Sequence, residues 1–230
     1  MQDDVDRAGA EHNEAPIAPR WRHGRLLPTN RFDAFSDGVF AIAITLLVLE
    51  LHVPDVKEGF LHELGAEWHT YACYLVSFAF IGGTWIAHAN LTRFIKGTDA
   101  ALMRLNLLLL LFVSLLPFTT SLMAAHVDGT AKRVVVLLFG LDLILATLMI
   151  DLVIRHAART AGIADDELAE EELRAFARER QIALISLAAA TVIGVLLPRV
   201  GIFTFLVVSV VFLFEPLWRV SWLGRRTTKA

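Results

Sequence analysis

Cysteine is almost missing from this sequence: Cys73 is the only one in 230 residues, and it lies in an apolar stretch. That excludes an intramolecular disulfide and a multi-cysteine metal site, and leaves the thiol as a packing residue. A basic excess is missing too. Twenty-one Lys and Arg stand against 24 Asp and Glu, a formal net charge of -3, so nothing in the total charge points to nucleic acid. The amino terminus has no apolar core of the kind a cleaved signal peptide needs. Asp3, Asp4, Asp6, Glu11 and Glu14 make it acidic, and residues 1–28 read as a disordered tail. No nucleophile and base recur at a motif spacing and no His-Glu-x-x-His occurs, so neither enzyme activity nor a resident metal or cofactor is expected. Ser36, Asp37 and His88 could be drawn as a hydrolytic triad, but Ser36 and Asp37 are neighbours on one helix and diverge by about 100°.

Apolar length is what the chain has. With 56% hydrophobic residues, only 20% charged ones and a mean hydropathy of +0.57, it is too apolar for an ordinary soluble domain. Six apolar segments fall at about 32–52, 68–92, 104–125, 133–155, 181–197 and 200–218, each near the length of roughly 20 residues that crosses a bilayer. The expected architecture is therefore an all-α membrane protein of six transmembrane helices, occupying residues 29–220, with a short tail at 221–230. Gly82 and Gly83 inside the second span allow a close helix approach, and Pro117 inside the third allows a kink. No span carries the repeated arginines of a voltage sensor.

Six spans put both termini on one side, and the basic residues test this. Seventeen of the 21 Lys and Arg fall on the side of the termini; only Lys57, Lys132, Arg133 and Arg199 fall opposite. The positive-inside rule then places both termini in the cytoplasm of a multi-pass cell-membrane protein. Between the fourth and fifth spans, Asp165 to Glu172 are followed by Arg174, Arg178 and Arg180. Acid first and base last suits a helix dipole, so a short cytoplasmic linker helix, a solvated connector, is expected at about 164–180.

Some polar residues lie where the bilayer makes them costly. The first span opens Arg31, Phe32, Asp33, Ala34, Phe35, Ser36, Asp37, Gly38 before its apolar stretch. An ionisable group in such a place is a functional hypothesis with a partner to be named. Arg31 and Asp37 point to different faces, so partners must come from other helices; Trp85 and His88 on the second span and Asn106 on the third are the candidates. The cluster either fastens three helices together or, through Asp37 and His88, relays protons. Asp142, Asp151 and Glu215 are further polar exceptions that helix contacts or the membrane interface would explain. Along the first span, Ile42, Leu46 and Leu49 share one face, with Thr45 at its border. Periodicity alone makes that stripe a lipid or packing surface.

The run from Arg31 through Phe35-Ser36-Asp37 and on to Glu50 resembles the first-helix signature of the transmembrane protein 175 family of potassium channels, in its prokaryotic single-repeat form. The resemblance implies a homotetramer in which four copies of the first helix line a pore for potassium ions. It implies that Ile42 forms the narrowest apolar constriction, with Leu46 and Leu49 beyond it and Thr45 tied to potassium preference. It implies that Arg31, Phe35, Ser36 and Asp37 belong to a structural polar network with Trp85, His88 and Asn106 as bridging partners. No Thr-Val-Gly-Tyr-Gly loop occurs, so selectivity would come from partial dehydration at the isoleucine ring, which costs potassium less than sodium. Two other readings compete. One is a proton-coupled cation transporter using Asp37 and His88, against which stands the lack of an inverted repeat with paired broken helices; the other is a membrane scaffold without a pore.

Overall fold

The computed structural model describes residues 26–51, 59, 65, 67–160, 162–164 and 167–227; side chains within the last stretch are described for 172–178 and 180–214. Most of the tail expected at 1–28, and the side chain of Glu215, lie outside the described residues. Among the described residues six α-helices follow one another: α1 (Asn30–Leu46), α2 (Trp68–Thr92), α3 (Ala100–His126), α4 (Lys132–Arg159), α5 (Glu167–Leu196) and α6 (Pro198–Thr227). Five of them are long and apolar enough to cross a membrane; the sixth counts as a shorter apolar helix over its described part, Pro198–Phe214.

Several helices have a local reason to begin or end. Asp99 caps α3, its carboxylate accepting the Leu102 N–H at 2.7 Å, which satisfies one of the orphan donors of the first turn. α1 tightens after Leu46 into a 3-10 turn, Leu47–Glu50, and Leu51 then leaves in an extended conformation. Pro198 opens α6, where its missing N–H costs nothing. The acidic-to-basic stretch expected as a separate linker helix is the first half of α5, which runs from Glu167 to Leu196. With no proline or glycine between Glu167 and Gly194, nothing stops the helix at the membrane edge.

The main helix pairs are α4 with α5, α3 with α4, α2 with α6 and α5 with α6, while α1 leans on α2 and α3. The α2–α6 pair is close because Gly83 faces the backbone of Leu213: a Cβ there would meet the Leu213 nitrogen at 3.2 Å. Gly194 and Gly201 likewise face each other across the tight α5–α6 turn. The loops gather at two ends. At one, Leu27 pairs with Thr98 and Ile95 with Ala164, joining the entry to α1, the α2–α3 loop and the α4–α5 loop. At the other, Arg199 Nε donates to Asp128 at 3.0 Å and joins the α5–α6 turn to the α3–α4 turn. Cys73 is buried in α2.

Candidate functional site: the first helix and its polar anchor

α1 has two faces of opposite character. Phe32, Ser36, Phe40, Ala43 and, in the 3-10 turn, Leu47 are buried, at spacings of four, four, three and four. This is one stripe of a helix and it packs into the molecule. On the other side Arg31, Phe35, Gly38, Ile42, Thr45 and Leu49 are exposed, at alternating spacings of four and three, with Leu46 beside them. The exposure is large for such apolar groups: 61% for Ile42 and 72% for Leu49. Among the described residues nothing lies within 4 Å of where a Gly38 Cβ would be, so the seam is open at that point.

The buried face holds a chain of hydrogen bonds. Ser36 Oγ donates to the Phe32 carbonyl oxygen at 2.8 Å, one turn earlier, which leaves its oxygen free to accept. Asn106 Nδ2 on α3 donates to that oxygen at 2.8 Å. Asn106 Oδ1 then stands 3.1 Å from His88 Nε2 on α2, and since the amide oxygen can only accept, the imidazole donates through Nε2–H. All three side chains are at most 2% exposed. Phe32 stacks on the His88 ring at 5.3 Å between centroids, and Phe40 lies against it at 5.7 Å. At α1's flank, Trp85 Nε1 donates to Asp37 Oδ1 at 2.9 Å.

The structure therefore brings Ser36, His88 and Asn106 into one chain and joins Asp37 to Trp85. Asp37 and His88, the pair considered for proton relay, each bond to a different neighbour and not to each other among the described residues. Arg31 and Phe35 lie on the exposed face, away from that chain. Thr45 donates its hydroxyl hydrogen to its own helix, with the Ala41 and Ile42 carbonyl oxygens at 3.0 and 2.9 Å. Its oxygen lone pairs remain available on the exposed side.

Other polar bridges join residues that the sequence did not pair. Ser77 on α2 and Thr120 on α3 hydrogen-bond at 2.6 Å, and Thr119 donates to Asp142 Oδ2 on α4 at 2.8 Å. The signal was present in Asp142 itself, a buried carboxylate that required a donor. Asp151 accepts from Arg155, one turn on, at 2.7 Å. Among the described residues no group of three or more His, Cys, Asp and Glu is placed to hold a metal ion.

Comparison with known proteins adds four findings. Residues 31–117, which span the α1 run and its α2 and α3 partners, match the family described as "Endosomal/lysosomal potassium channel TMEM175". A potassium channel of Streptomyces collinus is 39% identical over 150 residues, covering 64% of this chain and 73% of that one. A human protein named as an endosomal/lysosomal proton channel is 38% identical over 121 residues, but those cover only 24% of its length. Among solved structures, the crystal structure of a lysosomal potassium-selective channel homologue from Chamaesiphon minutus superposes with a TM-score of 0.72 at 29% identity. It covers 81% of this chain and 97% of that one.

Proposed function

The chain belongs to the TMEM175 family, a family of ion channels rather than enzymes, and on that footing we propose that it is a potassium channel of the cell membrane. In this reading four copies assemble with their α1 helices around a central pathway, and potassium passes down its gradient. The single observation that carries the proposal is the open apolar seam of α1. The helix is anchored by a satisfied, buried polar chain on one face, while Ile42, Leu46 and Leu49 stand uncovered on the other. A single subunit offering one such helix cannot enclose a pore, and four-fold closure would bring the seams together.

Ile42 is then the constriction. Four isoleucine side chains offer an ion no coordination, so it must shed part of its water, and the larger potassium ion loses less by that than sodium. Thr45, its hydroxyl hydrogen already held by the helix, turns oxygen lone pairs toward the pathway and replaces part of that water. The same apolar ring gates by dewetting when it narrows. The bonded part of the expected network, Ser36 with Asn106 and His88 and Asp37 with Trp85, sets the position and tilt of α1, while Arg31 and Phe35 stand outside it on the exposed face.

Proton-coupled cation transport through Asp37 and His88 is the second reading; the name of the human relative speaks of a proton channel, which bears on proton permeation and not on coupled exchange. Flux from liposomes separates the two. The channel reading expects potassium efflux that requires a proton ionophore to carry counter-charge and exceeds sodium efflux. Exchange that proceeds without ionophore and follows a pH gradient would replace it with the transporter. Ile42→Asn, which wets the ring, is expected to keep conduction and shift the reversal potential toward that of sodium; an unchanged reversal potential in the conducting variant would remove Ile42 from the constriction.

A further inference from the structure

A cavity of about 690 Å³ opens where the end of α4 meets the first turns of α5. Its lining is basic: Arg155 and Arg159 come from α4, Arg174 and Arg178 from α5, and Glu172 is the one carboxylate among the lining residues. Each arginine pair is spaced by four, which sets two guanidiniums one turn apart on one helix face, where like charges repel. The two pairs face the same space. Part of that charge is met within the protein. Arg155 Nε donates to Asp151 at 2.7 Å and its Nη2 to the Ala177 carbonyl oxygen at 3.2 Å, and Arg174 and Glu172 have interactions of their own. Arg159 and Arg178 are exposed and form no ion pair among the described residues.

Depth in the membrane narrows the ligand. Arg155 closes the apolar run of α4, and Ile182 opens that of α5 four residues beyond Arg178, about 6 Å along the helix axis. The arginines thus stand at the level where lipid headgroups begin. They stand at the end joined by the loop bridges of Leu27 with Thr98 and Ile95 with Ala164, the end that carries most of the basic residues.

We propose that this cavity binds the phosphate group of an anionic membrane lipid. Arg159 and Arg178 grip the phosphate, and Arg155 and Arg174, already engaged within the protein, line the cavity behind them. Guanidinium matches phosphate oxygens through paired hydrogen bonds, and a basic pocket between membrane helices is a setting in which anionic headgroups are held. A phosphate seated there would offset the repulsion and clasp the amphipathic half of α5 to the end of α4. The proposal depends on neither the pore nor the tetramer, so it stands or falls apart from the channel reading.

Native mass spectrometry of the full chain in detergent tests it, with phosphatidylglycerol, phosphatidic acid or phosphatidylcholine added in turn. Both anionic lipids are expected to be retained in preference to phosphatidylcholine, less so as salt is raised. Removing two charges in Arg159→Gln with Arg178→Gln is expected to lower that preference roughly thirtyfold. The double variant Lys132→Gln with Arg133→Gln loses the same charge at the opposite end and is expected to leave it unchanged. Each single arginine variant is expected to lower it about fivefold, which keeps the test open if the double variant fails to fold. Inorganic phosphate in excess separates the sources: lipid that stays bound assigns the headgroup, while phosphate that displaces it and alone raises the melting temperature assigns free phosphate. Equal retention of anionic and zwitterionic lipid by the unaltered chain, or equal loss in both double variants, would overturn the proposal.

Discussion

At the scale of single residues, His88 is the instructive case. A histidine in a membrane span invites a proton-relay reading, yet here the ring lies between Phe32 and Phe40 and donates to Asn106. Asn106→Ala leaves that N–H buried without a partner, a loss of about 1–3 kcal/mol in general and nearer the low end inside a membrane protein. The variant is expected to melt earlier in detergent. Adding Ser36→Ala is expected to cost little more, because both changes break the same chain; strictly additive losses in that double-mutant cycle would show that the two side chains act separately. Ser36, Asp37, Trp85, His88 and Asn106 were each legible in the sequence as polar groups at odd depth. Which one bonded which was not. Helical periodicity orients a side chain on its own helix, whereas the pairing of Trp85 with Asp37 depends on how α1 and α2 are set against each other.

Among the elements, α2 and α6 make the sharpest contrast. Gly82 and Gly83 are adjacent, yet a Cβ at Gly82 would meet only the mobile Leu213 Cδ1 at 3.4 Å, while one at Gly83 would press on the Leu213 backbone nitrogen and Cα at 3.2 and 3.3 Å. Gly82→Ala is therefore expected to be neutral or slightly stabilising, since alanine is the better helix former. Gly83→Leu is expected to cost about 1–3 kcal/mol by overpacking, and Gly83→Ala less. Thermal unfolding in detergent measures both. Equal shifts for Gly82→Ala and Gly83→Ala would mean that the close approach of α6 does not limit this position. The sequence offered the glycines but could not name the helix they admit. It also read a short linker helix at about 164–180 and a fifth span from 181, which α5 joins in one helix; a change from charged to apolar composition alters a helix's surroundings without interrupting its backbone hydrogen bonds.

At the scale of the whole molecule, one end is held together by loops, and Asp99 is its electrostatic knot. It caps α3 and accepts from His156 Nε2 of α4 at 2.8 Å. Burial works against its carboxylate, but the Leu102 and Ala101 N–H groups and His156 together outweigh that and hold its pKa below the ordinary value of 3.8. A depressed carboxylate pKa contributes stability that is complete above the unfolded value and disappears as pH falls through the folded one. Asp99→Asn keeps a good capping residue and removes the charge. It is expected to be the less stable protein near neutral pH, with the gap closing as the solution is acidified below about pH 4. A gap that persists unchanged at pH 2 would assign the loss to geometry instead of charge.

Composition and periodicity by themselves determined that the chain is a helical membrane protein, where its apolar helices fall, and which face of α1 repeats at three and four. These follow from the length of apolar residues a bilayer demands and from the helical turn, both of which are local. The α1 run was specific enough to point to the family as well. Tertiary structure decided what no local rule contains. It set which of α1's faces is buried and which stands open, that Asn106 lies between Ser36 and His88, and that four arginines from two separate helices line one cavity. The reason is physical: a polar side chain in an apolar bundle must find a partner, and which partner it finds is fixed by the packing of helices far apart in sequence.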